Sequence, residues 1–293
     1  MLPADLLKTL QRIEIASQIH SQELMAGQAD SIFKGRGLDF IDVREYAPGD
    51  DVRRIDWNIS ARLRKPYIKR MVEERELTIL LMVDLSASGH FGSTDRTKRE
   101  LAAELAGTLA FSAQRNNDRV GLILFTDQVE RYIPPRKTRQ HILRLLSDLL
   151  RHEPRGRKTS VANALTFASK VTHRPALLFL LSDLQDSGYE AVLRASNYQH
   201  DVLALQFIDP REQTLPDVGW AAVRDAETGE TIEIDTSDPL LREGYERAGA
   251  RRQEDLSAML RRARVGHLEI FTDRPWGLSL RAFLGRIAQR RIA

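Results

Sequence analysis

The sequence predicts an α/β fold in which a doubly wound, mostly parallel sheet is flanked by helices. Two observations support this prediction. Short, continuously apolar runs alternate with longer segments of helical periodicity, and two of these runs end in polar residues. Strands of a parallel sheet are covered on both faces and therefore form continuous apolar runs, and their alternation with helices is typical of doubly wound domains.

The apolar runs predict six strands. The run at residues 78–83 is partly β-branched and ends at Asp84, as expected for a strand that is buried on both faces. A short run at 129–133 is expected to pair with the strand before it. The other strands are expected at 120–125, 177–181, 202–208 and 267–271.

Helical spacing predicts the helices between these strands. Thr97 and Glu100 have the spacing of a capping box, and Leu101, Leu105 and Leu109 lie along one face of the helix that follows. Further helices are expected at about 142–150, 161–171, 239–263 and 278–287. Together these helices would cover both faces of the sheet.

The first 75 residues differ from this pattern. Residues 5–26 have helical periodicity, and Gly27 is expected to end that helix. Residues 35–75 combine glycines, prolines and dense charge of both signs, which is typical of an ordered but irregular segment laid over a core.

A further insertion is expected near residue 225. Apolar runs at 220–223 and 231–234 flank a turn at 227–230 and predict a β-hairpin. We therefore expect residues 1–75 to form a helix and a charged segment packed on the core. Residues 76–293 would then form the α/β domain, with the hairpin inserted at about 217–236.

Composition limits the function classes. Lys and Arg total 44 against 41 for Asp and Glu, a net charge of +3 that argues only weakly for nucleic acid. The absence of cysteine excludes disulfides and thiolate metal sites. The apolar runs are far shorter than the roughly 18 residues of a bilayer-spanning helix, and the N-terminus does not resemble a secretory signal. We expect a soluble, cytoplasmic protein without a membrane span.

Polar residues in three loops predict a metal site. Asp84, Ser86 and Ser88 follow the first buried strand, Thr159 precedes a helix, and Asp183 follows another strand. Ligands of open α/β sheets bind at the carboxyl ends of the strands, and hard cations such as Mg²⁺ require oxygen ligands. Taken singly, each residue also has an ordinary role as a helix cap, a turn residue or a solvated loop residue.

These five residues together resemble the metal-ion-dependent adhesion site of von Willebrand factor A domains, which have a Rossmann-type sheet. An upstream stretch resembles the signature of a bacterial family, domain-of-unknown-function family 58, in its short, soluble form. The stretch comprises Gly35-Arg36-Gly37-Leu38-Asp39-Phe40, Arg44-Glu45-Tyr46, Pro48-Gly49-Asp50-Asp51, Arg53 and Ile55-Asp56-Trp57. The resemblance covers roughly residues 5–290.

The resemblance implies a role for each site residue. Ser86 and Ser88 would bind the metal directly, whereas Asp84, Thr159 and Asp183 would bind it directly or through water. The metal would be Mg²⁺, with Mn²⁺ or Ca²⁺ as alternatives. One open coordination position would accept an Asp or Glu carboxylate from a partner protein. The sequence departs from the usual pattern of the adhesion site at Gly89 and Ser160. These two departures bear on the metal affinity and on the shape of the rim of the site.

The resemblance further implies a non-enzymatic, metal-dependent protein–protein interaction module. Proteins of this kind commonly accompany MoxR-type AAA+ ATPases, which suggests an adaptor in the assembly or remodelling of protein complexes. The alternative is a Mg²⁺-dependent phosphoester hydrolase or phosphoryl-transfer enzyme that uses the same Asp/Ser site. A dehalogenase-type phosphatase would need a second Asp where Ser86 stands, and the chain contains no phosphate-binding loop motif. We therefore predict no catalytic residue.

Overall fold

The computed structural model describes residues 4–25, 37–47, 50–74, 76–93, 96–224 and 229–292. Its helices and strands are numbered in chain order. They are α1 (Ala4–Met25), β1 (Gly37–Glu45), α2 (Trp57–Leu63), β2 (Tyr67–Glu74), β3 (Thr78–Asp84), α3 (Lys98–Arg115), β4 (Arg119–Phe125), β5 (Val129–Arg136), α4 (Arg139–Arg151), α5 (Val161–Val171), β6 (Leu177–Ser182), α6 (Glu190–Gln199), β7 (Asp201–Ile208), α7 (Pro210–Gln213), β8 (Trp220–Arg224), β9 (Thr231–Asp235), α8 (Pro239–Arg262), β10 (Gly266–Phe271) and α9 (Gly277–Ile292).

Six of the strands form the central sheet in the order β10-β7-β6-β3-β4-β5. Neighbouring strands are parallel except for β4 and β5, which are antiparallel. The chain runs outward from β3 through β4 to one edge and then crosses to β6 on the other side of β3. This reversal is the switch point at which doubly wound sheets bind ligands. The predicted fold class, a doubly wound and mostly parallel α/β sheet, is confirmed.

The core consists of two layers, one on each face of the sheet. Along β3, Ile79, Leu81 and Val83 pack against the layer that includes α1, α3, α4 and α9. Leu80 and Met82 pack against the layer that includes α5, α6 and α8. None of the five is more than 1% exposed. Because successive side chains of a strand point to opposite faces, burial on both faces explains the continuous apolar run.

The prediction of an irregular segment at residues 35–75 is wrong for most of its length. β1 and β2 form an antiparallel ribbon, paired from Gly37 with Glu74 to Glu45 with Tyr67, and α2 lies between them in the chain. The two strands pair with each other and not with the central sheet. Because the ribbon is not part of the parallel sheet, its sequence lacks the continuous apolar runs of that sheet, and its dense charge gave no strand signal. Gly27, Gly35, Arg36, Pro48 and Gly49 lie outside the described residues.

The remaining elements lie close to their expected positions, with two helices added. β8 and β9 form an antiparallel hairpin, although residues 227 and 228 of the expected turn lie outside the described residues. α6 and α7 had no counterpart in the prediction. α8 is highly charged over its 24 residues, and Leu260 is its one fully buried side chain. No helix in the described ranges has the length and apolar character needed to cross a bilayer.

Candidate metal centre

Asp84 ends β3 at the carboxyl edge of the sheet, beside the end of β6. Its Oδ1 accepts a hydrogen bond from the backbone N of Ser86 at 2.8 Å, and its Oδ2 accepts one from Ser182 Oγ at 2.6 Å. An Asp that binds the backbone two residues further on forms an Asx turn. Asp84 therefore shapes the loop that carries the two serines and joins that loop to the neighbouring strand.

The hydroxyls of Ser86 and Ser88 converge. Their Oγ atoms lie 2.9 Å apart, and either can be the donor. Ser86 is 1% exposed, and a single 3₁₀ turn over Ala87–His90 follows it. In an octahedral Mg²⁺ site with ligand distances of about 2.0–2.1 Å, neighbouring oxygens lie about 2.9 Å apart. The two hydroxyls thus have the separation of adjacent corners of such a site.

Asp183 follows β6 directly and is 4% exposed. Its Oδ2 accepts a hydrogen bond from Lys98 Nζ at 3.1 Å, and its Oδ1 accepts one from the backbone N of Gln185 at 3.3 Å. Lys98 is itself 2% exposed, and its Nζ also donates to Glu212 Oε1 at 2.5 Å. The ammonium group therefore lies between two carboxylates. Sequence reasoning missed Lys98, because the first residue of a helix after a polar loop is usually solvent-exposed.

The charges of this cluster shift the pKa values of its members. Burial and the nearby charge of Asp183 raise the pKa of Asp84 to about 7, against the opposing effect of the hydrogen bonds from Ser182 and Ser86. Burial lowers the pKa of Lys98, but the charges of Asp183 and Glu212 outweigh burial and raise it overall. Lys98 is therefore positively charged at neutral pH. The negative charge of Asp84, by contrast, is only partly stabilised by its hydrogen bonds.

A small cavity of about 10 Å³ lies between these loops, with Asp84, Ser86, Ser88 and Asp183 in its lining. Lys98 lines it as well. The space is about that of one water molecule. In the described part of the chain, no group of three histidine, cysteine or acidic side chains has metal-binding geometry. Hydroxyl oxygens would therefore have to complete the ligand set of a metal bound here.

Thr159, the fifth expected ligand, is half-buried and lies outside that lining. Its loop nevertheless meets the serine loop, since the backbone N of Ala87 donates to Arg157 O at 3.0 Å. The next residue, Ser160, caps α5 by accepting from the backbone N of Asn163 at 3.3 Å. The structure thus places the Thr159 loop against the serine loop and gives Ser160 the role of a helix cap.

Glu130, on β5, holds the Thr159 loop in place, and sequence reasoning missed it. Its side chain is 2% exposed. Its Oε1 accepts from Thr126 Oγ1 and from the backbone N atoms of Arg155 and Gly156, at 2.9, 3.0 and 2.9 Å. Burial raises the pKa of Glu130, but these donors together lower it below its usual value. A buried carboxylate with several donors is a firm anchor for a loop.

Gly156 allows this loop to approach Thr126 and Asp127, in the turn between β4 and β5, closely. A Cβ atom at this position would lie 2.0 Å from Asp127 Oδ1 and 2.3 Å from Thr126 Oγ1. Real Cβ atoms do not approach other atoms so closely, so with any larger residue either these two side chains or the loop would have to shift. The absence of a side chain at Gly156 therefore contributes to the position of Thr159.

A family model for DUF58, a protein family of unknown function, matches residues 42–255. This chain belongs to the DUF58 family. An uncharacterized protein of Mycobacterium bovis is 32% identical to this DUF58 protein over 289 residues, covering 98% of this chain and 90% of the relative. An uncharacterized protein of Mycobacterium tuberculosis has the same identity and coverage.

Solved structures similar to this DUF58 protein include BatB from Bacteroides thetaiotaomicron, with a TM-score of 0.49 and 15% identity. That match covers 73% of this chain and 99% of BatB. The SpRpn10 VWA domain matches with a TM-score of 0.35 and 13% identity, covering 45% of this chain and 76% of that domain. The fold described above follows from the strand order of the DUF58 protein itself.

The acidic residues of the DUF58 signature segment make local structural contacts. Asp50 accepts from Arg44 Nη2 at 2.6 Å. Asp51 caps the 3₁₀ turn over Val52–Arg54, and Asp56 caps α2. These contacts shape the connection between β1 and β2. They lie within the ribbon and its connection.

A larger cavity, of about 700 Å³, adjoins the site on the side of α8. It lies between the loop that follows β6 and the helix α8, and Asp183 and Glu212 belong to its lining. Leu256 and Met259 of α8 contribute apolar surface to the same cavity. Asp183 therefore borders both the small polar cavity and this more open space.

Proposed function

We propose that this DUF58 protein is a non-enzymatic, metal-dependent protein–protein interaction module. Asp84, Ser86, Ser88, Thr159 and Asp183 would hold a divalent cation. The observation that carries the proposal is the pair of serine hydroxyls 2.9 Å apart beside two carboxylates at the sheet's switch point. Mg²⁺ accepts hydroxyl oxygens together with one or two carboxylates, and Mn²⁺ and Ca²⁺ are the alternatives.

When bound, the ion would supply a positive charge able to accept a carboxylate from another protein. Residues of this chain prepare for that contact. Ser182 orients Asp84, Glu130 anchors the loop of Thr159, and Gln185 donates to Asp183 through its backbone. All of these contacts are made within the chain itself, and such pre-organisation lowers the cost of ordering on binding.

The hydrolase alternative receives no support from the site. The position two residues after Asp84 holds Ser86, whose hydroxyl bonds to Ser88. Ser86 thus does not supply the second carboxylate of a dehalogenase-type phosphatase, and we assign no catalytic residue.

The partner and the compartment belong to the same proposal. The family resemblance is the ground for a MoxR-type AAA+ ATPase as the partner class and for a role in assembling or remodelling protein complexes. A chain without cysteine suits the cytoplasm.

A pull-down from native extract, once with Mg²⁺ and once with a chelator, tests the metal requirement. An identical set of partners under both conditions would contradict a metal-bridged contact.

Titration calorimetry with Mg²⁺ and Mn²⁺ tests the metal site itself. Ser86→Ala and Ser88→Ala each remove one hydroxyl ligand, and we expect metal binding at least about tenfold weaker for each. Ser187→Ala is a matched control, because Ser187 is an exposed serine whose hydroxyl lies outside the small cavity. Unchanged affinity in both site variants would show that the metal binds elsewhere or not at all.

A further inference from the structure

Lys98 occupies an unusual place for a lysine. It is the first residue of α3, only 2% exposed, and it lines the same small cavity as Asp84, Ser86 and Ser88. Its Nζ lies 3.1 Å from Asp183 Oδ2 and 2.5 Å from Glu212 Oε1. A buried ammonium is tolerated only when it is paired, and here both of its carboxylate partners are in contact with it.

Glu212 is fixed in place independently of the lysine. It is the third residue of α7, where its Oε2 accepts from the backbone N of Asp209 at 3.1 Å and completes a capping box. Its Oε1 also accepts from Gln185 Nε2 at 3.4 Å. The ammonium group therefore has one firmly held carboxylate on α7 and a second, Asp183, at the proposed metal site.

The balance of charges at the site differs between the protein without metal and the protein with metal bound. In the protein without metal, the ammonium group compensates part of the negative charge of Asp183 and Glu212. With a divalent ion present, two positive charges from the ion and one from Lys98 would match three carboxylates, those of Asp84, Asp183 and Glu212. A cation that shares Asp183 with the ion repels it, and this repulsion is strong where water is excluded.

We propose that Lys98 is an internal cation that sets the metal affinity of the site. Its ammonium group competes with the metal for Asp183, and metal binding requires that it turn fully to Glu212. This inference rests on the proposed function, because it assigns a role to a residue that is not a ligand. Lys98 thus determines the metal affinity of the site. Glu212 is the carboxylate that receives the ammonium group when the metal takes Asp183.

Two variants give opposite expected results in titration calorimetry of the full chain with MgCl₂ and MnCl₂. Lys98→Met removes the competing charge, so we expect metal affinity to rise at least about tenfold. Glu212→Gln removes the alternative partner and leaves the ammonium group on Asp183, so we expect affinity to fall severalfold. A purely structural role of Lys98 would predict weaker binding, or none, for the first variant.

Lys158→Met is the matched control. Lys158 is exposed and adjacent to Thr159, so the substitution changes the same formal charge near the site from the solvent side. Solvent screens exposed charges, and we expect a change in affinity of no more than about twofold. Melting curves in chelator, with and without added Mg²⁺, show whether Lys98→Met is folded. If it is not, Glu212→Gln decides alone.

The outcomes separate this inference from the proposed function. Wild-type protein that binds metal while Lys98→Met binds equally or more weakly would overturn the inference and leave the metal site standing. Unchanged affinity in Glu212→Gln would also overturn it. Wild-type protein without detectable binding, combined with a Lys98→Met variant that binds, would support the lysine as the competitor and reject metal dependence of the natural protein. Absence of binding in both would reject both ideas.

Discussion

Asp84 is held by interactions that oppose each other. Hydrogen bonds from Ser182 Oγ and the backbone N of Ser86 favour its charged form. Burial and the charge of Asp183 favour the neutral form more strongly, so its pKa rises to about 7. In the metal-free protein near neutral pH, the folded state therefore tolerates the ionised form of this carboxyl poorly.

Asp84→Asn should show this cost in a pH series. In the unfolded chain an Asp titrates near pH 4, and in the folded protein Asp84 titrates near 7. The loss of folding stability caused by ionised Asp84 is therefore absent below about pH 4 and grows as pH rises towards 7. In chelator, the melting temperature of Asp84→Asn relative to wild type should rise by about 2–6 °C between pH 5 and pH 8. A difference that is constant with pH would contradict this assignment.

Sequence spacing located some residues of the site and could not locate others. Asp84, Ser86, Ser88 and Asp183 follow buried strands, and the ends of parallel strands meet at one edge of a sheet, so their proximity could be predicted. The presence of Lys98 at the site could not be predicted, because its partner Glu212 is 114 residues away in the chain and a lysine that begins a helix is usually exposed. Glu130 resembled an ordinary polar residue of an edge strand.

At the scale of the elements, the site depends on a loop without regular structure. The loop of Thr159 joins α4 to α5, and its position is fixed from outside. Glu130 of β5 accepts from Arg155 and Gly156, and the backbone N of Ser160 donates to Thr126 O at 2.9 Å. An edge strand thus positions a loop that is expected to bind the metal.

Glu130→Ala should therefore affect both stability and metal binding. Its loss leaves the Thr126 hydroxyl and the partly buried backbone N–H of Gly156 without their charged acceptor, which costs about 1–3 kcal/mol of unfolding free energy. We also expect metal affinity to fall about tenfold, because residues that orient metal ligands matter on that scale. Chemical denaturation and calorimetry measure the two effects. Glu153 is an exposed acid of the same loop, so Glu153→Gln should leave both stability and metal affinity unchanged. If Glu130→Ala bound metal as tightly as wild type, Glu130 would not be an anchor of the metal site.

Ser160→Ala separates helix capping from metal binding. The Ser160 side chain accepts from the backbone N of Asn163 and caps α5, so its loss should cost about 0.5–2 kcal/mol of stability. Metal affinity should change by no more than about twofold, because the neighbouring Thr159 is the expected ligand. Denaturant unfolding and metal titration of the same variant test this. A loss of affinity as large as that of Glu130→Ala would mean that Ser160 itself acts at the site.

The elements themselves were predictable to different degrees. β3 and β6 are buried on both faces and showed continuous apolar runs. β1 and β2 form a ribbon outside the central sheet, and their charged sequences showed no such runs. In α6, Leu193 and Ser196 are the fully buried residues, which leaves too little apolar periodicity for a helix prediction.

For the whole molecule, the topology places the site at the boundary between two halves of the sheet. β3 is followed by β4 on one side and flanked by β6 on the other. Their loops diverge above the carboxyl edge and leave the crevice that contains Asp84 and Asp183. Helices cover both faces of the sheet. A partner that contacts a metal bound here would therefore have to approach at this edge.

The last prediction follows from that approach: association with a partner should require an acidic side chain that enters the open coordination position. Mg²⁺ prefers hard oxygen ligands, and the proposed site would supply two carboxylates and three hydroxyls. A carboxylate from the partner is the strongest ligand for the remaining position. Charges at the rim, by contrast, should mainly alter the association rate and its salt dependence.

Once a partner is isolated by a Mg²⁺-dependent pull-down, its exposed Asp and Glu residues can be changed singly to the amide, which keeps the shape and removes the charge. One such change should weaken binding at least about tenfold and remove its dependence on Mg²⁺, and the others should have small effects. Binding kinetics with Mg²⁺ and with chelator measure both. If every variant bound as tightly as wild type and still required metal, the ion would organise the loops of Ser88 and Asp183 without bridging the two proteins.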